Sequence, residues 1–149
     1  MSGPPLALAI QRASRASHIP TDRRIRAWAR AALARPARVT LRLVGEAEGR
    51  RLNREFRNQD HATNVLTFVY EDASGAPLVG DVVICAPVVA RVARAQAKAV
   101  DAHYAHLVVH GLLHLQGHDH ELESQAARME RRERAILRTL GYPDPYGER

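Results

Sequence analysis

The segment His110-Gly111-Leu112-Leu113-His114-Leu115-Gln116-Gly117-His118-Asp119-His120 carries metal-ligand spacing within one local stretch. Six of the chain's eight histidines lie between positions 103 and 120. Residues 104–115 hold no formal charge when the imidazoles are neutral, and they are rich in Leu and Val, which predicts a buried helix. On a helix, positions i and i+4 stand one turn apart on the same face, so His110 and His114 can aim two imidazoles at one ion. Gly117 falls where helices tend to stop, because glycine enters the left-handed region without a Cβ clash. The chain can then turn and bring His120 back as a third ligand. Three neutral imidazoles with an open fourth position form the pattern of a catalytic zinc site. A structural site more often closes with four ligands that include cysteine, and Cys85 is the single cysteine here. By donor type alone, nickel, copper or iron would also suit three imidazoles.

The same spacing fits the zinc-protease motif H-E-x-x-H-x-x-G-x-x-H at each metal position, but Gly111 stands where the general-base Glu belongs. That argues against peptide hydrolysis and predicts that Gly111 leaves room above the ion. His106 lies one turn before His110. It is about 12 Å along the axis from His114, so it is expected to orient a ligand or pack in the core. His103 is expected on the helix surface. His118 is a candidate acid/base group beside the site. Asp119 is expected to orient a ligand imidazole or to move a proton itself.

The elements that must position these groups follow from patterning. Residues 5–10 supply a spare strand within an otherwise irregular 1–19. Thr21 and Asp22 open a helix with periodic Ile25, Trp28, Ala29 and Leu33, which Pro36 ends. Residues 38–44 alternate as a strand with Val39, Leu41 and Leu43 on one face. Residues 46–56 read as a short helix with Leu52 and Phe56 inward. Strands at 65–70 and 81–85 flank the turn-forming 72–77 and are expected to pair antiparallel. Helices then run from Pro87 to about 100, over the histidine stretch, and over 121–140, where Met129, Ile136, Leu137 and Leu140 form the apolar stripe and Gly141 caps. Glu130 and Glu133 are expected to pair with Arg134 and other arginines on that last helix. The expectation is one α/β (α+β) domain over 1–149, with a mixed sheet of three to four strands, about five helices and the metal site on a central histidine helix.

No apolar run approaches the length of a membrane span, and the short patch LALAI lacks the positive start of a signal peptide. A single cysteine is consistent with a reducing cytoplasm. Residues 1–57 carry a charge balance of +9 and residues 58–149 one of −3, and all but one of the 22 basic residues are Arg. Arg forks bind phosphates and stack on bases. A basic front half joined to a metal-binding back half points to RNA or another polyanion, although a solvated basic face would show the same composition.

Beyond the histidine run, three further blocks are similar to the YbeY family of bacterial endoribonucleases and rRNA maturation factors. These are Leu52-Asn53 through Phe56-Arg57, Asp60 and Thr63-Asn64-Val65-Leu66-Thr67-Phe68; then Gly80-Asp81-Val82-Val83-Ile84; then Met129, Glu130, Glu133 and Leu140-Gly141-Tyr142. Together with His110–His120 the resemblance spans about residues 38–146, and the first 35 residues match poorly. His118 stands where the family often has Tyr, and Val69 where it often has Pro. The resemblance implies one zinc ion on His110, His114 and His120, and hydrolysis of single-stranded RNA. It also implies a role in 16S rRNA 3′-end maturation and ribosome quality control, with the small ribosomal subunit and an assembly GTPase as partners. It gives Arg57 a functional role, where the residues alone would let Arg57 pair with Asp60 or cap carbonyls. A second reading keeps the metal structural and makes the chain a ribosome assembly factor that works by binding rRNA, since phosphate neutralisation needs no catalysis.

Overall fold

In the computed structural model, which describes residues 3–73, 75–117 and 122–147, alternating apolar side chains build a mixed four-stranded sheet. Its strands β1 (Leu6–Ala13), β2 (Ala37–Val44), β3 (Val65–Glu71) and β4 (Leu78–Cys85) stand in the order β1-β2-β4-β3. The β1–β2 and β2–β4 pairs are parallel, and β3 and β4, consecutive in the chain, pair antiparallel. Parallel neighbours need crossover connections. Helix α1 (Asp22–Ala31) supplies the first, and α2 (Glu46–Arg57) with β3 the second. The strand expected at 5–10 is β1, and it extends to Ala13 at the sheet edge, so the N-terminal arm is more regular than its sequence suggests.

Side chains alternate across a strand, so the sheet sorts its two faces. Val39, Leu41, Leu43, Val82 and Ile84 pack against α1, α4 (Val100–Leu115) and α5 (Glu123–Leu140). Val44, Leu66, Val83 and Cys85 face the opposite layer, where Leu52 of α2 and Val88 of α3 (Ala86–Ala95) lie. The result is the expected α+β architecture with five helices among the described residues. Phe56 departs from expectation. It sits in the last turn of α2 and is 57% exposed, because α2 meets the sheet through Gly49, Leu52 and Asn53. No helix of the described residues is long and apolar enough to cross a membrane.

Helix α4 runs through the centre of one layer. A Cβ built on Gly111 would lie 2.9 Å and 3.2 Å from the two methyl carbons of Val82. Gly111 therefore permits close approach of α4 to the interior strand β4. It does not open space above an ion, and a Glu there would run into the sheet. Gln116 ties down the far end of α4, donating to Ala32 O at 2.8 Å and accepting from Ala34 N at 2.7 Å at the end of α1. Gly117 follows with φ +100°, the left-handed turn expected after the histidine helix.

Candidate metal centre and the cleft beside it

Each histidine of the i,i+4 pair is held through Nδ1. His110 Nδ1 lies 2.6 Å from Oε2 of Glu133, and His114 Nδ1 lies 2.5 Å from Oγ1 of Thr67 on β3. The two rings are nearly parallel, 23° apart with centroids separated by 6.3 Å. Glu133 is fully buried on α5. Burial pushes its carboxyl up, but hydrogen bonds from His106, His110 and Tyr146 outweigh that and hold it at about 2. The ionised carboxylate only accepts, so Nδ1 of His110 carries the proton and Nε2 keeps the free lone pair. The Tyr146 hydroxyl donates to Oε1 of Glu133 at 2.5 Å and lies 3.1 Å from His106 Nε2. The chain after α5 thus folds back over α4 and completes the support of His110.

His106, His110 and Glu133 form a group whose donor atoms lie within 4.8 Å of one another and could hold a metal ion. This group and the His110–His114 pair share the His110 ring but approach it from different sides, since His110 meets Glu133 through Nδ1. Imidazole and carboxylate donors fit a borderline ion such as zinc in either arrangement. His118, Asp119 and His120 lie outside the described residues.

Glu133 does not act as a surface partner of Arg134. Glu130 does, at 3.7 Å, whereas Glu133 turns inward. Its signal in the sequence is register: it stands four residues after Met129 and four before Leu137, on the apolar stripe. An acid in a buried stripe needs a partner, and the histidines of α4 provide it. His103 also differs from expectation. It is 5% exposed, and among the described residues neither ring nitrogen has a hydrogen-bond partner. Burial first, then His106 and Lys98, push its imidazole down to about 4. His106 is half-buried against Tyr146 and Glu133.

Arg57 ends α2 beside the same strand that anchors His114. Its Nη2 donates to Thr67 O at 2.5 Å and its Nη1 to Phe56 O at 3.1 Å, while the guanidinium lies 4.8 Å from the Phe68 ring centroid. Asp60 does not pair with it; Asp60 binds Arg50 at 2.9 and 3.0 Å and approaches Arg54 at 3.7 Å. Buried Asn53 donates to His61 O at 2.8 Å and fixes the loop that delivers β3. Thr67 therefore links two groups, its carbonyl holding Arg57 and its hydroxyl holding His114. Both border a cleft of about 680 Å³ that Arg42, Phe56, Phe68 and Tyr70 also line.

The chain is similar to known proteins over most of its length. Residues 11–141 match the family described as endoribonuclease YbeY, so the likeness reaches upstream of residue 38 through β2 and α1 into β1. A protein of Aromatoleum aromaticum named endoribonuclease YbeY is 58% identical over 95% of this chain and 92% of its own length. One of Methylibium petroleiphilum with the same name is 53% identical over 95% of this chain and 93% of its own. The solution structure of TM1509 from Thermotoga maritima is similar with a TM-score of 0.55 and 26% identity, covering 95% of this chain and 99% of that one. The relatives' name is that of a nuclease, hence a hydrolase, and is consistent with rRNA processing. On these matches, the chain belongs to the endoribonuclease YbeY family.

Proposed function

We propose that residues 1–149 act as a single metal-dependent hydrolase domain that cuts single-stranded RNA. His110, His114 and His120 hold one zinc ion or another divalent transition metal. The observation that carries this reading is the anchoring of both described histidines through Nδ1, by Glu133 and by Thr67, which supports Nε2 as the ligating nitrogen of each. A bound ion supplies Lewis acidity toward a phosphoryl oxygen. Arg57, held 2.5 Å from Thr67 O, offers further N–H donors to the charge that grows on the phosphate during cleavage. Its stacking on Phe68 keeps the guanidinium plane at the cleft wall. Asp119 orients a ligand imidazole or moves a proton, and His118 is the other acid/base group of that turn. In the cell this activity serves 16S rRNA 3′-end maturation and ribosome quality control in the cytoplasm, in contact with the small ribosomal subunit and its assembly GTPase.

The test is cleavage of a single-stranded RNA by protein purified free of contaminating ribonuclease. His114→Ala and Arg57→Glu are expected to abolish or sharply reduce it. Equal cleavage by both variants would assign the activity to something other than this site. If both variants still fold, bind small subunits and restore rRNA processing in cells, the binding-only reading replaces the catalytic one.

A further inference from the structure

The chain contains two phenylalanines, and both line the cleft beside His114, Phe68 with its inner side packed on the Val44, Leu66 and Val83 cluster. Phe56 is 57% exposed and Tyr70 66% exposed, which is unusual placement for large apolar rings in a chain with few aromatics. The Phe56 and Phe68 rings meet edge to face at 5.4 Å and 74°, and Arg57 covers Phe68. Tyr70 is steadied at its far end, where its hydroxyl donates to Asp81 Oδ2 at 2.8 Å. Of the charged side chains that line the cleft, Arg42 pairs with Glu48, Asp81 accepts from Tyr70, and Arg57 donates to backbone carbonyls. With two acids beside its two arginines the wall has little net charge of its own, and its exposed ring faces and one planar guanidinium suit flat, uncharged π-systems.

We propose that Phe56 and Tyr70, with Arg57 and Phe68 behind them, form a stacking platform for the unpaired nucleobases next to the phosphodiester at His114. The occupant follows from continuity. His114 borders the same cleft, so a strand whose phosphate reaches it lays its neighbouring nucleotides across these rings. A base in a duplex has both faces covered by its neighbours and cannot use the platform, so the selection for single strands resides here. The inference rests on the nuclease reading and names the part of the site that recognises substrate.

The test is fluorescence anisotropy with a labelled 2′-O-methyl RNA 12-mer, which resists cleavage, prepared intact, with its central bases removed, and as a duplex. Phe56→Ala and Tyr70→Ala are each expected to weaken the intact strand about five-fold or more. Phe56→Trp retains binding, and the abasic strand and the duplex bind wild type and variants alike. The proposal is overturned if wild type holds the abasic strand as tightly as the intact one, or if the alanine variants bind all three probes at wild-type strength. Loss of all three probes together also overturns it, because that reports a charge or folding defect. Concentration-dependent self-association that Phe56→Ala removes while RNA binding stays unchanged would make the face a protein interface instead. Failure of the nuclease reading gives a different pattern: base-dependent binding of the intact strand with no cleavage of the unmodified one.

Discussion

Replacing Glu133 by Gln separates two roles that the same carboxylate could play. The substitution keeps the shape of a fully buried side chain and lets its amide oxygen accept from Nδ1 of His110, while the amide nitrogen faces the hydroxyl of Tyr146. The charge assistance is lost from two short contacts. Hydrogen bonds to charged groups contribute about 1.5–3 kcal/mol and neutral ones about 1 kcal/mol, so the metal-free protein should lose about 1–4 kcal/mol of stability over the two contacts. If Glu133 positions His110, metal affinity should fall about 10- to 100-fold, equivalent to about 1.4–2.7 kcal/mol. With metal in excess, that loss appears as an equal further drop in apparent unfolding free energy. Chelator competition gives the affinity, and urea unfolding with and without metal gives the stability. Wild-type affinity in Glu133→Gln would refute the positioning argument. A loss far beyond 100-fold would show that Glu133 is itself a ligand and that His106, His110 and Glu133 form the ion-holding group.

Other consequences follow from the packing of α4. Gly111→Ala places a methyl 2.9 Å from a stiff Val82 side chain. Overpacking of about 1–3 kcal/mol should exceed the helix-propensity gain of about 1 kcal/mol and lower the urea midpoint without changing the slope; a raised midpoint would mean that α4 and β4 do not approach so closely. His103 has a folded-state value of about 4, below its ordinary 6.5, so the unfolded chain takes up the proton first. Its contribution is full above pH 6.5, is lost as pH falls toward 4, and amounts to about 3 kcal/mol at most. His103→Leu should flatten the unfolding free energy across that window, and an unchanged pH slope would contradict the buried neutral imidazole.

The shared face of His110 and His114 was legible because local geometry sets it: an i,i+4 pair on a long apolar helix needs no knowledge of the rest of the fold. Strand alternation at Val39, Leu41 and Leu43, the Thr21 cap and the left-handed Gly141 were legible for the same reason. The parallel pairing of β2 with β4 was not, because it is a contact between distant segments. Glu133 was misread since an acid among arginines looks solvated, and only the approach of α5 to α4 buries it. Phe56 was misread in the opposite sense: helical periodicity assigns an apolar residue to the inside, whereas α2 meets the sheet through Gly49, Leu52 and Asn53 and leaves the Phe56 ring exposed beside Phe68. Tyr146 gave no sequence signal at all, because its role depends on the tail folding back across two helices.

The central claim is that a metal ion held by His110 and His114 is required for RNA cleavage. The direct measurement is a titration of metal back into chelator-stripped protein while the cleavage rate of single-stranded RNA is followed. The account predicts a rate that is negligible in the stripped protein, climbs with added ion and saturates at one ion per chain, with no recovery in His110→Ala. Stripped protein that cuts as fast as the loaded form would contradict it.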